Sequence, residues 1–370
     1  MFSFHNFVTR MIKKTVFVLL VFAFNSFAQQ DSTKSPLLIS AYLEAYYVYD
    51  FGNPTDHNRP DFAYSYNRHN EVNLNLGFVK AAYHTEQTRT NLALMTGTYS
   101  NANLASEPGV IKNIFEANAG VKLSKNKNLW ADAGIFASHI GFESAIGKDC
   151  WNVTRSILAD NSPYYESGVK VCYTTQNEKW FISGLVLNGW QRIYRISGSQ
   201  IPALGHQVTY TPNANVALNS SSFVGSVFPD SIRKMRYFHN FYGQFQLTEK
   251  FGIITGFDIG AQQQAKQSQN YHVWYSPVLI TRYSLSEKVN IALRGEYYSD
   301  PNQVMIETST LNGFQTYSYS LNIDYQITPH AVWRIEGRGF NSKDKVLTLN
   351  KQPSSQNYCV ATSLAISLNR

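Results

Sequence analysis

Cysteine is scarce in this sequence, and the three that it has, Cys150, Cys172 and Cys359, are an odd number. An odd count argues against a framework of disulfides, so small, partly buried thiols are the simpler interpretation. Neither CxxC nor HExxH occurs, and no Cys/His spacing typical of a metal site is present. We therefore expect no metal and no other cofactor.

Charge and long apolar runs are also in short supply. Charged residues make up 15% of the sequence, and no stretch after the N-terminus is apolar enough for a membrane-spanning helix. The formal charge of +7 falls to +4 without Arg10, Lys13 and Lys14 of the N-terminal segment, which is too weak to indicate nucleic-acid binding. Aromatic residues are abundant instead, with 24 tyrosines and 23 phenylalanines. In alternating strands, such an excess is typical of the aromatic girdles of a membrane barrel.

The N-terminal segment has the pattern of a secretory signal peptide. Lys13 and Lys14 form a basic region, residues 15–24 form an apolar core, and Ser26-Phe27-Ala28 is a small-x-small cleavage site. We expect residues 1–28 to be removed and residues 29–370 to form a single domain.

Alternation of apolar and polar residues begins soon after this leader. In the first segment, one face consists of Ile39, Ala41, Leu43, Ala45, Tyr47 and Tyr49, and the other of Ser40, Tyr42, Glu44, Tyr46 and Asp50. In the second, Val72, Leu74, Leu76 and Phe78 alternate with Glu71, Asn73 and Asn75. One face of each strand suits lipid and the other suits water.

Short polar turns recur along the chain and alternate with longer connections. The turns are at Thr85–Arg89, Lys125–Asn128, Thr175–Lys179, Pro212–Asn215, Thr248–Lys250, Ser284–Lys288 and Gln326–His330. About seven turns and about eight longer loops imply about sixteen strands. A soluble β-sandwich has the same alternation, but it does not require short turns at one end and long loops at the other. The sequence therefore predicts an all-β fold, a transmembrane antiparallel β-barrel with short periplasmic turns and long extracellular loops.

The segment at residues 138–164 is the longest break in the alternation. It carries five charged residues, Glu143, Lys148, Asp149, Arg155 and Asp160. We expect it to fold into the bore as the pore constriction, with the three carboxylates facing the two cations across the passage. A solvated external loop with the same charges is the alternative.

A second set of charges lies between apolar neighbours within strands. A lysine or arginine facing lipid costs about 2–4 kcal/mol, so these side chains are expected in the lumen. The set consists of Glu44, Glu71, Glu116, Lys122, Arg294, Glu296, Arg334, Glu336 and Arg338. Their mixed signs favour a transverse field over a single-ion filter, and ion pairs that brace the barrel wall are the alternative.

Several segments resemble a known family. Among them are AYLEAYYVYDFGNP, LWADAGIFASHIGFESAIGKDCW, TRSILADNSPYYESGVK and WRIEGRGF. Over most of its length the sequence is similar to outer-membrane β-barrel porins of Bacteroidetes, often called OmpL-like. The resemblance implies a porin-like barrel in contact with outer-membrane lipid.

We therefore expect an outer-membrane porin that lets small hydrophilic solutes diffuse through a water-filled barrel, with no chemical step. Its oligomeric state is open, and a homo-oligomer is one alternative. A competing hypothesis is a lipid hydrolase, in which outward-facing His239 would activate Ser220 or Ser222. A third is a closed barrel that serves as an adhesin or scaffold.

Overall fold

The chain folds into a closed barrel of sixteen antiparallel strands in the computed structural model, which describes residues 35–369. The expected signal peptide, residues 1–28, lies outside the described residues. Each barrel strand pairs with its neighbours in sequence, and the first strand closes the barrel by pairing with the last. The prediction of an all-β antiparallel barrel is confirmed.

The barrel strands are β1 (Leu37–Asp50), β2 (Val72–His84), β3 (Thr88–Thr96), β4 (Ile114–Lys122), β5 (Asn128–Ala137), β6 (Tyr165–Thr174), β7 (Trp180–Leu187), β8 (Ala203–Asn213), β9 (Val216–Ser226), β10 (Met235–Gln246), β11 (Phe251–Gln263), β12 (Tyr271–Ser284), β13 (Val289–Asp300), β14 (Phe314–Thr328), β15 (Ala331–Ser342) and β18 (Gln356–Asn369). Two short strands, β16 (Leu347–Leu349) and β17 (Gln352–Ser354), form a separate hairpin in the loop before β18.

Helical structure within residues 35–369 is confined to the long loops. It comprises α1 (Thr98–Asn103), α2 (Ile157–Asp160) and 3₁₀ turns at Gly109–Asn113, Gly147–Asp149 and Asp230–Ile232. No helix in this part of the chain is long and apolar enough to cross a membrane.

Short turns and long loops alternate around the barrel. The short turns follow β2, β4, β6, β8, β10, β12 and β14, at the seven predicted positions. The long loops span residues 51–71, 97–113, 138–164, 188–202, 227–234, 264–270, 301–313 and 343–355. All short turns therefore lie at one end of the barrel, the end at which β1 begins and β18 finishes.

The first strand has the predicted faces. Tyr42, Glu44 and Tyr46 are buried inside the barrel, whereas Leu43 is 50% exposed and Tyr49 is 36% exposed on the outer surface. An apolar outer face and a polar inner face are what a strand between lipid and a polar lumen requires.

The predicted faces of β2 are wrong beyond Asn75. Glu44 pairs with Leu76 but Ala45 pairs with Leu74, so Asn75 is an extra residue in a β-bulge. The bulge reverses the alternation. Leu76 is fully buried inside, Phe78 packs against the same core, and Val79 is 60% exposed on the lipid side.

Candidate pore and the inserted loop

The segment at residues 138–164, here called the inserted loop, lies inside the barrel. Its base is closed at the long-loop end, where the Ser138 amide donates to the Tyr164 carbonyl oxygen at 3.0 Å. At its tip, Lys148 Nζ donates to Ser367 Oγ at 2.7 Å, and Ser367 is near the short-turn end of β18. The loop therefore extends through much of the length of the bore.

The loop tip is bound to the wall formed by β14 and β15. The Arg334 guanidinium donates to the carbonyl oxygens of Gly147 at 2.7 Å and Cys150 at 2.8 Å. Its Nε donates to Asp324 Oδ1 at 2.7 Å, which fixes the direction of the guanidinium. A Cβ atom on Gly147 would overlap the Glu44 carboxylate and the Tyr66 hydroxyl, so glycine is needed for this close approach.

Further along the loop, Thr154 binds three charged side chains of β13 and β15. Its amide and hydroxyl donate to Glu336 Oε2 at 2.6 and 2.9 Å. Its carbonyl oxygen accepts a 2.7 Å hydrogen bond from Arg294, and Arg338 donates at 2.8 Å to the neighbouring carbonyl of Arg155. Because these bonds reach the loop backbone, they fix its path as well as its side chains.

The wall charges also pair with one another. Glu296 Oε1 lies 3.2 Å from Arg294 Nε and 2.6 Å from an Arg338 nitrogen, and Glu336 lies 3.0 Å from Arg294. Each of these four side chains is at most 6% exposed. Buried charges are tolerated when they are paired and hydrogen-bonded, as they are here. Arg294, Glu296, Glu336 and Arg338, together with Arg334, thus attach the loop to the wall and present almost no surface to the lumen.

Three of the five charged residues of the inserted loop are buried. Their hydrogen bonds are made within this loop or to a neighbouring loop. Glu143 accepts bonds from the amide and hydroxyl of Ser156, and Arg155 donates to the carbonyl oxygens of Ser144 and Val153 at 2.8 and 2.6 Å. Asp160 accepts from Ser65 at 2.9 Å and from Tyr164 at 3.3 Å. They therefore do not face one another across a passage, because buried polar groups must satisfy their hydrogen bonds nearby.

Burial also affects the acidity of these carboxyl groups. It raises the pKa of Glu143, and it raises the pKa of Asp160 to about 6. In the first turn of α2, the Ile157 amide donates to Glu296 Oε2 at 2.6 Å, which satisfies one of the free amides of the helix N-terminus.

The other two loop charges reach open space. Asp149 is exposed, and Lys148 is partly exposed beside Tyr42, whose hydroxyl accepts a hydrogen bond from the Lys148 amide at 3.3 Å. Both residues are at the tip, on the 3₁₀ turn Gly147–Asp149. Of the five predicted constriction charges, these are the two that are not buried.

The remaining predicted lumen charges lie in different settings. Glu44 is fully buried and accepts a 2.9 Å bond from Tyr66, whereas Glu116 and Lys122 are partly exposed on the inner face of β4. Glu71 is partly exposed at the long-loop end of the barrel and accepts a 2.9 Å hydrogen bond from Asn73, which pairs with inward-facing Tyr46. It ends the first long loop, before β2 begins, and pairs with Arg68 at 2.7 Å.

Space remains on the side of the loop that faces β3 and β4. A cavity of about 140 Å³ separates the loop from the inner faces of β3, β4 and β10. Phe142 and Asp149 line it from the loop, while Phe115, Glu116 and Gln244 line it from the wall. This cavity is the open space between the loop and the β3–β4 wall.

Sequence reasoning missed several inward charges and the central hydrogen-bonding residue. Lys80 pairs with Glu116 at 2.7 Å and Arg89 pairs with Asp132, all on inner faces. Without the bulge at Asn75, the alternation of β2 would place Lys80 on the lipid-facing side. A charged residue at such a position is unfavourable, and it is the signal in the sequence that indicates that the faces of β2 are reversed. Thr154 carries no such signal, because its role depends on partners more than 130 residues away.

Of the residues in the hydrolase hypothesis, Ser220 meets His239 on the outer surface, whereas Ser222 meets His206 instead. Ser220 Oγ lies 3.1 Å from His239 Nε2, and Ser222 Oγ lies 2.5 Å from His206 Nδ1. These side chains point out of the barrel, because Ser220 pairs with Phe241 across β9 and β10 and Phe241 is exposed on the outer surface. No Asp or Glu of residues 35–369 is hydrogen-bonded to either imidazole, so each pair lacks the group that orients the base in a catalytic triad.

Comparison with known proteins gives one family match and many structural ones. A family model described as "Putative beta-barrel porin-2, OmpL-like" matches residues 36–368. No curated protein matches the sequence.

Solved outer-membrane barrels share the fold at low sequence identity. The outer-membrane channel DcaP of Acinetobacter baumannii has a TM-score of 0.59 at 8% identity, covering 90% of this chain and 97% of that one. An anion-selective porin from Comamonas acidovorans has a TM-score of 0.58 at 7% identity, with coverages of 90% and 99%. In vitro folded OmpT of Vibrio cholerae, in a trimer form, has a TM-score of 0.55 at 9% identity, with coverages of 90% and 99%.

Proposed function

The chain belongs to the OmpL-like family of β-barrel porins, and we propose a path for solutes through its barrel. It is an outer-membrane porin for passive diffusion of small hydrophilic solutes. In this proposal the solutes pass between the inserted loop and the inner faces of β2–β10. The observation that carries this path is that most hydrogen bonds between the loop and the wall are to β13–β15, while its base also bonds to β9 and β10 through His139 and Gly141. Arg294, Arg334 and Arg338 bind its backbone to β13–β15, and partly exposed polar side chains remain on the opposite wall.

In this proposal the narrowest part of the path lies beside the loop tip. Asp149 and Glu116 line the cavity between the loop and the wall, and Lys148 and Lys122 are partly exposed nearer the short-turn end. Glu143, Arg155 and Asp160 keep the loop folded, and their charges act on solutes only from a distance. A narrow passage with low-dielectric walls strengthens the effect of nearby charges on ions compared with open water.

We propose no chemical step and no cofactor. The Ser220–His239 pair faces lipid, and a hydrolase would need a group to orient His239 and donors for the developing oxyanion. Hydrogen bonding between the two side chains accounts for the pair without catalysis, because it lowers the cost of exposing polar groups to lipid.

A homo-oligomer is also part of the proposal. One supporting feature is the outer surface of β4 and β5, where Ala119, Ala131 and Ala133 line a shallow depression of about 410 Å³. A second is that a barrel of the same fold exists in a trimer form. Native mass spectrometry in detergent would measure the number of copies, and a mass of one copy in several mild detergents would contradict an oligomer.

Conductance in planar bilayers tests the function. Purified, folded protein is expected to insert in discrete conductance steps, and proteoliposomes are expected to swell in small sugars at rates that fall with sugar size. Folded protein that inserts without conducting would instead support the closed-barrel scaffold. Serine-dependent release of fatty acid from the lipid, lost in Ser220→Ala, would support the hydrolase.

A further inference from the structure

We propose that the passage favours small hydrophilic anions over cations, because the charges that border it are mainly basic. This inference rests on the proposed path between the inserted loop and β2–β10. The basic residues are on the inner faces of β2–β6, in the half of the barrel nearer the short turns. They are Lys80, Arg89, Lys122 and Lys170, and they are here called the basic wall.

Two of the four cations are paired, but each is more accessible than its partner. Lys80 Nζ lies 2.7 Å from Glu116, with side-chain exposures of 25% and 16%. Arg89 pairs with Asp132, with exposures of 24% and 6%. A solute passing this wall therefore meets the ammonium and guanidinium groups more than the carboxylates.

The other two cations have no carboxylate partner. Lys122 and Lys170 are partly exposed, and neither is within ion-pair distance of an acidic side chain of residues 35–369. Lys170 Nζ lies 4.8 Å from the ring centre of Phe136, a cation–π contact, and its cross-strand neighbour Asp132 is ion-paired with Arg89. These two lysines account for the excess of positive charge.

Acidic groups elsewhere in the barrel do not offset this excess. Glu166, the third carboxylate on the inner faces of β2–β6, is fully buried near the long-loop end. Glu296 and Glu336 are paired with arginines against the loop, and Asp324 is paired with Arg334.

The charges of the loop tip and of the neighbouring wall also leave the net charge beside the passage positive. Asp149 is adjacent to Lys148, so the tip carries one charge of each sign. Arg282, partly exposed on β12, adds a further cation next to Trp151. Because charges are screened over about 8 Å at physiological ionic strength, the nearby basic wall dominates the field on an ion in the passage. Lysine and arginine linings are the usual basis of anion preference in pores.

Reversal potentials in a KCl gradient test this inference. The wild-type channel is expected to favour chloride, and Lys122→Glu/Lys170→Glu is expected to shift the permeability ratio several-fold towards potassium. The neutral variant Lys122→Gln/Lys170→Gln is expected to fall between the two. Lys345→Glu is the matched control, because this exposed lysine is in the loop before β18, away from the passage, and it is expected to leave the ratio unchanged.

The outcomes separate this inference from the proposed function. A conducting wild-type channel that favours potassium would overturn the anion preference and leave diffusion intact, as would unchanged ratios in both double variants. A folded channel that never conducts would overturn the proposed path, and the anion preference with it. Swelling of proteoliposomes in sodium gluconate and in choline chloride extends the comparison to organic ions, and faster entry of choline than of gluconate would count against the inference.

Discussion

Arg334 on the barrel wall donates a 2.7 Å hydrogen bond to the carbonyl oxygen of Gly147 at the tip of the inserted loop. This bond joins residues 187 positions apart in the sequence, and it is reinforced by a second bond to Cys150 and by the ion pair with Asp324. The loop tip is consequently held to one side of the bore, and this asymmetry determines which wall is left free.

Removing the Arg334 guanidinium is expected to release the tip. Arg334→Gln leaves Asp324 without its partner and loses both bonds to the loop, so we expect a destabilisation of about 3–5 kcal/mol, typical of a broken buried pair. Larger fluctuations of the open-channel current should accompany it. Thermal unfolding in detergent and single-channel recording measure the two effects.

The double variant Arg334→Gln/Asp324→Asn separates the ion pair from the attachment of the loop. It removes the unpaired carboxylate, so part of the stability should return while the current fluctuations persist. Wild-type current noise in both variants would mean that Arg334 does not hold the loop.

Two cations of the loop should behave differently when neutralised. Arg155 is fully buried and donates to carbonyl oxygens of its own loop, whereas Lys148 is partly exposed at the tip. Arg155→Met leaves those carbonyls without donors, so we expect the loop to unfold and become sensitive to added protease. Lys148→Met should retain a protected loop and change only ion permeation. Equal protease sensitivity of the two variants would contradict this assignment.

Stability should depend on pH through Asp160. Burial raises the pKa of this carboxyl to about 6, from an ordinary value of 3.8, so the folded chain binds the proton more tightly than the unfolded chain does. The contribution of Asp160 to stability is therefore greatest below about pH 4 and falls as the pH rises towards 6.

Asp160→Asn removes this dependence, because the amide is neutral and keeps an oxygen to accept from Ser65. The variant is expected to be about 2–3 kcal/mol more stable than the wild type at pH 7, with the difference shrinking towards zero near pH 4. Unfolding free energies at both pH values measure this, and a difference that does not change with pH would contradict it.

The barrel could be predicted from sequence because its determinants are local. Alternation over a strand such as β1 and the polar turns between strands require no knowledge of distant partners. The reversal in β2 could not be read in the same way, since the bulge at Asn75 depends on that side chain bonding to Glu44 and to the Tyr66 amide. The one sign of the reversal in the sequence is Lys80, a charged residue that simple alternation would place on the lipid-facing side.

The site was less predictable for the same reason. The charges of β13 and β15 alternate as lumen residues should, but sequence alone does not distinguish a side chain that faces water from one that binds another segment. Thr154 illustrates this, because its hydrogen bonds to Glu336 and Arg294 arise only once the loop is inside the barrel. Arg155 is a charged residue whose partners are backbone carbonyls of its own loop, and it was assigned to the passage for its charge alone.

The central claim is that solutes pass on the side of the loop away from β13–β15, and site-specific modification of cysteines tests it most directly. The wild-type channel is the control, because its three thiols are buried. Gln244→Cys places a thiol on the open side, and Ser320→Cys places one on the covered side, where Ser320 is 5% exposed and binds Asn152. A charged, membrane-impermeant thiosulfonate should reduce the conductance of Gln244→Cys and leave that of Ser320→Cys unchanged. Reduced conductance in Ser320→Cys, with none in Gln244→Cys, would contradict the account.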